Sequence, residues 1–198
     1  MNKEDDVIYF ITTNKYKFNE IKKLFENEKI PYQLKQLNFK TIEMQTESLR
    51  ENALFKLNSA KSKVNCSCFI EDAGFFIDDP LNGFPGVYSS YVFKTIGNEG
   101  ILRLINNFKQ SKAHFIAIIA LFFEPLNKDF LFEGRVEGKV SERIKGSRGF
   151  GFDPIFIPDN IPNKTFAELS IEEKNKISHR GKAWKEMIQF LKKNLKTS

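Results

Sequence analysis

The sequence predicts an α/β protein built on a mixed β-sheet, and three observations lead to this prediction. A short apolar segment at residues 7–11 is followed by a helical pattern of apolar residues, and strand and helix patterns continue to alternate after it. Two long extended runs, at residues 114–123 and 129–141, are separated by five residues typical of a turn. Alternating strands and helices followed by a long hairpin indicate a mixed sheet flanked by helices.

Composition and charge exclude several classes of protein. The chain has 198 residues and a formal net charge of +6, which favours an anionic partner such as a nucleotide, a nucleic acid or an acidic surface. The longest apolar run, residues 115–123, is too short to span a bilayer, and the acidic residues 1–6 lack a signal-peptide pattern. A structural zinc site needs four Cys or His ligands, and beside Cys66 and Cys68 the sequence has only His114 and His179, so reduced, partly buried thiols are favoured. We therefore expect a cytoplasmic protein with no membrane partner.

The first strand and helix form a candidate phosphate site. Phe18, Ile21, Leu24 and Phe25 give the helix one apolar face, and the preceding Thr and Asn residues are typical caps. A helix N-terminus presents free N–H groups to an anion, and nearby lysines add positive charge. The alternative is a capped helix that binds nothing, and the sequence favours neither.

The second predicted helix begins at a capping box formed by Ser48 and Glu51. Its inward face carries four apolar residues, Leu49, Ala53, Leu57 and Ala60. Lys56 lies beside this face and could reach a ligand, although a lone helix lysine is usually solvated. Residues 31–47, which contain Glu43 and Glu47, are predicted to be irregular or weakly extended.

The most informative stretch is a predicted strand at residues 68–71 that ends in two acids, Glu71 and Asp72. Gly74 is predicted to turn the chain just after them. Carboxylates at the end of a buried strand need a positive neighbour, and a hard cation such as Mg²⁺ prefers oxygen ligands. Two solvated acids at a turn are the alternative, and for this stretch alone they are favoured.

The rest of the chain contains two turn-rich loops, a short helical pattern and a helical end. The loops are residues 82–88 and 145–154. Asn98 is predicted to cap a short helix that carries Ile101, Leu102 and Ile105. A second capping box, Ser170 and Glu173, precedes the amphipathic helical end of the chain.

Two further segments carry residues suited to a purine base. Phe150 and Phe152 offer ring faces for stacking, and Asp153 could accept hydrogen bonds from a base edge or anchor the loop. The alternative is a mobile turn whose aromatic rings only pack. His179, near Lys174 and Arg180, could likewise serve only to brace the last helix.

Taken together, these motifs resemble the inosine triphosphate pyrophosphatase family, from about Val7 to Phe190. Six motifs stand in the family's order, at residues 12–17, 51–56, 71–74, 82–88, 147–154 and 173–180. The resemblance implies a single domain over residues 1–198. It also implies an elongated mixed sheet with two lobes, an active-site cleft between them, and a homodimer.

The resemblance implies hydrolysis of ITP, dITP and XTP to the monophosphate and pyrophosphate, with Mg²⁺ as cofactor and Mn²⁺ as an alternative ion. Asp72 is the implied metal ligand and general base, and Glu43 the second ligand, with Glu47 as an alternative. Lys56 would approach the triphosphate, and Ala73 would contact substrate through its backbone. The remaining implied substrate-binding residues are Thr12, Thr13, Asn14, Lys15, Tyr16, Lys17, Phe150, Gly151, Phe152, Asp153, Lys174, His179 and Arg180. The last three would recognise the 6-oxo group and adjacent phosphates.

Three positions depart from the family's pattern. Phe152 stands where tryptophan is common in eukaryotic members, and Thr13 replaces a common small residue. Ser90 or Tyr91 occupies a position that often carries a cation, so Lys94 is a candidate replacement. The rival hypotheses are a non-catalytic basic module that binds nucleotides or RNA, and a related pyrophosphatase for other modified nucleotides. The paired acids argue against the first, so no nucleic-acid partner is expected.

Overall fold

A mixed β-sheet forms the centre of the structure, a computed structural model that describes residues 7–28, 30, 32–64, 66–106 and 111–194. Its strands are β1 (Val7–Ile11), β2 (Gln33–Leu37), β3 (Cys68–Ile77), β4 (Phe84–Gly86), β5 (Lys112–Phe123), β6 (Lys128–Val140) and β7 (Phe156–Pro158). The order is β2-β1-β3-β5-β6-β7, with β4 paired to β3. Because β1 is parallel to β2 and β3, whereas β4 and β7 pair antiparallel, the sheet is mixed. The predicted fold class is confirmed.

The helices of the described residues are α1 (Lys15–Glu28), α2 (Leu49–Lys61), α3 (Ser89–Thr95), α4 (Gly97–Leu104), α5 (Ile171–Ile177) and α6 (His179–Lys193). Asn14 caps α1, because its Oδ1 accepts hydrogen bonds from the N–H groups of Tyr16 at 2.9 Å and Lys17 at 3.2 Å. On α2 the four apolar residues predicted to face inward are all buried. No helix in the described part of the chain is long and apolar enough to cross a membrane. The acidic residues 1–6 lie outside the described residues.

Two capping predictions need correction. Ser48 caps α2 by accepting from the Glu51 N–H at 3.2 Å, but the Glu51 carboxylate bonds the Thr46 hydroxyl instead of the Ser48 N–H. Only one arm of that predicted capping box is therefore present, whereas Ser170 and Glu173 form both arms. Asn98 does not cap α4, because the helix begins at Gly97 and Asn98 lies within its first turn.

Strand β2 occupies part of the segment predicted to be irregular or weakly extended. It pairs in parallel with all of β1, from Val7 opposite Gln33 to Ile11 opposite Leu37. Its sequence, with two glutamines and a lysine in five residues, is partly exposed at the edge of the sheet. Such a polar strand lacks the apolar signature of a buried one.

The predicted turn at Gly74 is wrong, because β3 continues through both acids and the glycine to Ile77. Gly74 serves a different purpose. A side chain there would place its Cβ 2.7 Å from the carbonyl oxygen of Gly86 on β4, and no real Cβ comes that close. Glycine is therefore needed for the approach of β4 to β3, and Asp72 lies inside a strand.

The chain divides into two compact units. Unit 1 comprises Met1–Asp72, Ile118–Glu133 and Ala183–Ser198, and unit 2 comprises Ala73–Ala117 and Gly134–Lys182. In unit 1 the fully buried Trp184 packs on the rings of Phe10, Phe25 and Phe69, with centroid distances of 5.7, 6.3 and 4.8 Å. In unit 2 an aromatic core forms around Phe75, Phe115, Phe152, Phe156 and Phe166.

Candidate active site

Within unit 1 the Asp72 carboxylate is held by two donors on α2. Asn52 Nδ2 donates to Oδ2 at 2.6 Å, and Lys56 Nζ lies 3.3 Å from Oδ1. The two donors are four residues apart, so they occupy the same face of the helix. The Asp72 side chain is 14% exposed, so solvent and a ligand can still reach it.

Lys56 also pairs with the other predicted metal ligand. Its Nζ lies 2.8 Å from Glu43 Oε1, so a single ammonium group lies between Glu43 and Asp72. Burial alone would lower the pKa of Lys56, but the two carboxylates outweigh burial and raise that pKa above its ordinary value. Lys56 therefore carries its charge throughout the physiological range.

Asn52 is a site residue that the sequence interpretation missed. Besides holding Asp72, its Oδ1 accepts a hydrogen bond from the Met44 N–H at 3.3 Å, next to Glu43 in the chain. The buried Asn52 amide thus links the loop that carries Glu43 to Asp72, the other predicted metal ligand. Asn52 lies within the motif at residues 51–56 that also contains Lys56, so the sequence did contain a signal. The spacing of this motif does not reveal that Asp72 is the partner of Asn52.

Lys17, predicted to bind phosphate, forms an ion pair with the neighbouring acid of the central stretch. Its Nζ lies 2.6 Å from Glu71 Oε2 and 3.2 Å from the Glu71 carbonyl oxygen. The Glu71 side chain is fully buried, so the lysine neutralises a carboxylate that would otherwise be costly. The contact also fixes the first turn of α1 against β3.

The rest of the predicted phosphate loop is ordered by its own side chains. Thr12 Oγ1 accepts from the Asn14 N–H at 3.1 Å, and the Thr12 carbonyl accepts from Gln36 Nε2 at 2.9 Å. Thr13, Lys15 and Tyr16 are exposed at the start of α1. The exposed Lys15 side chain and the positive end of the α1 dipole therefore remain available to an anion here.

Unit 2 contains a buried ion pair between Asp153 and Lys174. Lys174 Nζ lies 2.6 Å from Asp153 Oδ2, with side-chain exposures of 3% and 4%. The same oxygen accepts a hydrogen bond from the Phe150 N–H at 2.8 Å. Asp153 thus anchors its loop from within, which is one of the two roles predicted for it.

The two phenylalanines of this loop occupy different environments. The ring of Phe150 is partly exposed and lies 5.1 Å from both Lys174 Nζ and Arg180 Cζ. Phe152 is 3% exposed and packs on Phe75 at 5.0 Å and Phe93 at 5.4 Å. Phe150 therefore presents a ring face beside two cations, whereas Phe152 is a core residue in this structure. Base stacking by either ring stays a prediction.

His179 and Arg180 are both buried at the start of α6. The His179 ring stacks on Phe115 at 4.6 Å with 9° between the planes, so the imidazole has a fixed orientation. Ser178 precedes the helix, and its Oγ accepts from the Gly181 N–H at 3.0 Å. The predicted cations Lys174, His179 and Arg180 thus lie in the same unit, and Lys174 and Arg180 contact the same Phe150 ring.

Two backbone features shape the loop around Phe150. Gly149 has φ of +73°, and a Cβ there would overlap with the Asp153 carboxylate, so only glycine fits. Asn98, whose predicted cap was wrong, instead donates from Nδ2 to the Gly151 carbonyl at 3.2 Å. These contacts tie the loop to Asp153 and to α4.

Comparison with known proteins identifies the family. Residues 8–190 match the model of the Ham1 family. The chain belongs to the Ham1 family. It is 45% identical over 187 residues to the dITP/XTP pyrophosphatase of Thermococcus kodakarensis, covering 94% of this chain and 98% of that protein. It is 44% identical over 189 residues to the dITP/XTP pyrophosphatase of Pyrococcus horikoshii, covering 96% and 98%.

Two solved Ham1 structures have the same fold. The Ham1 protein of Staphylococcus aureus is 30% identical with a TM-score of 0.78, and a HAM1 protein from Coxiella burnetii is 28% identical with a TM-score of 0.79. Each match covers 94% of this chain and 98% of the other. The family resemblance predicted from the six motifs is confirmed, while the individual residue roles in this Ham1 protein stay predictions.

Proposed function

We propose that this protein hydrolyses non-standard purine nucleoside triphosphates, namely ITP, dITP and XTP, to the monophosphate and pyrophosphate. The observation that carries the proposal is the Asp72 carboxylate, held by Asn52 and Lys56 in a chain that is 45% identical to a dITP/XTP pyrophosphatase. A binding module would not need an acid positioned in this way. Among the residues that the structure describes, no observation favours a second function.

The residues of unit 1 suit the triphosphate. Lys15 and Lys17 lie at the N-terminal turn of α1, where the helix dipole favours an anion. Lys56 would exchange part of its contact with Glu43 and Asp72 for a phosphate oxygen. Lysine suits this task because its ammonium group is a compact charge on a flexible stem.

The carboxylates of unit 1 fit a magnesium ion by the chemistry of their donor set. Asp72 and Glu43 offer only oxygen ligands, and the Lys56 ammonium that contacts both shows that a cation is stabilised there. Glu47 is exposed and has no such contact with Lys56 or Asp72, which favours Glu43 as second ligand. When bound, Mg²⁺ would neutralise charge on the phosphate oxygens. Mn²⁺ would serve as the alternative ion.

Asp72 would act as the general base. A water molecule attacks the α-phosphorus, its oxygen forms the new P–O bond, and Asp72 accepts its proton. The bond between the α-phosphorus and the bridging oxygen breaks, and pyrophosphate leaves with the electron pair. Because Asn52 binds Oδ2 at 2.6 Å and Lys56 lies farther from Oδ1, Oδ1 is the better placed to accept the proton. The Ala73 backbone, next in β3, would contact the substrate.

The residues of unit 2 suit the base. Inosine and xanthosine carry a 6-oxo acceptor where adenine carries an amino donor, so cationic donors favour them. Lys174, His179 and Arg180 would supply those donors, and the partly exposed Phe150 ring would stack on the base, whereas Phe152 lies in the core. An adenine would leave buried donors unpaired, which gives strong rejection.

The family resemblance also supports a homodimer located in the cytoplasm, and light scattering coupled to gel filtration would test the dimer.

The function itself is tested by pyrophosphate release from ITP, dITP and XTP, measured against ATP and GTP at equal concentration. We expect kcat/KM for the three non-standard substrates to exceed that for ATP by at least about 100-fold. Equal turnover of ATP and ITP would contradict the proposal.

A further inference from the structure

Three metal-ligating side chains of unit 2 that the proposed function does not use lie close together. Asp78 follows the end of β3, His114 lies on β5 and Glu137 on β6. One ligand atom from each lies within 4.8 Å of the others. These strands are neighbours in the sheet, so the cluster joins three segments that are distant in the sequence.

The imidazole is the rigid part of this cluster. His114 is 6% exposed, and its ring stacks on Phe76 with 4.8 Å between centroids and 1° between planes. Asp78 follows Phe76 by two residues in the chain. Asp78 Oδ2 lies 2.9 Å from His114 Nδ1. The ring is thus held in one orientation with a carboxylate at its edge.

The carboxylates of Asp78 and Glu137 are exposed, so their side chains can rotate to change the positions of their oxygen atoms. Glu137 uses Oε1 to pair with Arg135 Nε and retains Oε2 as a second possible ligand atom. Asp78 uses Oδ2 for the imidazole and retains Oδ1. For a tetrahedral ion with bonds near 2.1 Å, ligand atoms lie about 3.4 Å apart, so the present atoms need to approach by at most about 1.4 Å. Rotation of exposed side chains supplies a movement of that size.

We propose that Asp78, His114 and Glu137 bind one divalent transition-metal ion of the zinc type. One imidazole nitrogen and two carboxylate oxygens make a donor set that suits zinc, and three protein ligands leave a position for water. The ion would clamp the end of β3 to β5 and β6. Arg135 and Lys182, whose Nζ donates to the Arg135 carbonyl at 2.7 Å, add positive charge nearby and make the site weaker than one with four protein ligands.

The experiment is a Zn²⁺ titration against a chromophoric chelator with excess Mg²⁺ present. Magnesium occupies oxygen-only sites and does not displace zinc from an imidazole. The variants are Asp78→Asn and Glu137→Gln, exposed isosteric changes that spare the buried ring. The control is Glu133→Gln, since Glu133 also lies on β6 and pairs with an arginine, Arg50, at 3.0 Å. We expect at least about ten-fold weaker zinc binding in each of the two site variants and none of this loss in the control.

A second readout locates the ion. The chain has only two histidines, His114 and His179, so the imidazole NMR spectrum contains two sets of signals, which His114→Gln would assign. We expect zinc to shift the His114 signals and leave those of His179 in place. Zinc affinity that is equal in the wild type and both amide variants, or a zinc-dependent shift of His179 alone, would overturn the proposal.

Discussion

Asn52 Nδ2 donates a 2.6 Å hydrogen bond to Oδ2 of Asp72, and the same amide accepts from the Met44 N–H through Oδ1. Both functional atoms of one buried side chain are therefore engaged, one with the proposed base and one with the loop that carries Glu43. This arrangement makes Asn52 a positioning residue, because it acts on the chemistry through Asp72.

Replacing Asn52 by alanine tests that role. Without its partner the Asp72 carboxylate loses a fixed orientation, so we expect kcat on ITP to fall about 10- to 100-fold with a smaller change in KM. The control is Asn58→Ala, since Asn58 is an exposed asparagine on the same helix. Steady-state kinetics of both variants check the prediction. An Asn52→Ala enzyme with wild-type kcat would contradict it.

The raised pKa of Lys56 predicts how stability depends on pH. A lysine whose pKa is higher in the folded state stabilises that state below its unfolded pKa, and this contribution is lost as pH rises through the folded value. The stability difference between wild type and Lys56→Met should stay constant from neutral pH to about 10 and shrink above the ordinary lysine pKa of 10.5. Urea unfolding across this range measures it.

Lys61→Met is the matched control for Lys56, because Lys61 lies on the same helix and also pairs with a carboxylate, that of Asp129, but is 32% exposed. The difference between its stability and that of the wild type should be small, as is usual for a pair near the surface. A Lys56→Met stability difference that grows above pH 10.5 would contradict the assigned direction.

The buried pair of Asp153 and Lys174 predicts a non-additive double variant. Lys174→Met leaves a carboxylate buried without its cation, so we expect a loss of about 3–5 kcal/mol in the free energy of unfolding. Combining it with Asp153→Asn removes that charge and keeps an oxygen for the Phe150 N–H, so the double variant should lose less than the sum of the singles. Denaturant unfolding of the wild type, the two single variants and the double variant completes the double-mutant cycle. Additive losses in the free energy of unfolding would contradict the prediction.

Gly149 and Gly151, in the same loop, allow the effect of steric overlap to be distinguished from the effect of backbone strain. Gly149 and Gly151 both have positive φ, at +73° and +63°, but a Cβ overlaps with Asp153 only at Gly149. Alanine at either position costs about 1–2 kcal/mol for the left-handed conformation. We expect Gly149→Ala to raise KM for ITP well beyond Gly151→Ala, because it also displaces the anchoring carboxylate. Equal KM values in the two variants would argue against this role for the Gly149 position.

The sequence predicts much of the fold because several of its local patterns agree with the tertiary structure. Residues 7–11 form β1, the apolar stripe of α2 is buried, and the two long extended runs form the neighbouring strands β5 and β6. Errors arise where the role of a residue depends on a contact with a residue that is distant in the sequence. Gly74 looks like a turn but makes room for Gly86, and Asn98 looks like a cap but bonds Gly151.

The candidate site is predictable to a similar degree. Residue type and family order point to Asp72, Lys56, Lys174 and Arg180, but not to their partners. The sequence does not show that Lys17 neutralises Glu71, since the two are 54 residues apart. Nor does it show that Phe152 is buried among Phe75 and Phe93 while Phe150 is partly exposed, because each of them follows a glycine in the same loop. The predicted cleft and homodimer stay predictions.

The most direct test of the proposed function is pyrophosphate release from ITP by the wild type and by Asp72→Asn, with and without Mg²⁺. Asparagine keeps the size of the side chain but cannot accept the proton of water. We expect pyrophosphate release that requires Mg²⁺ in the wild type and falls by at least about 100-fold in the variant, with folding retained. Equal release by the two proteins would contradict it.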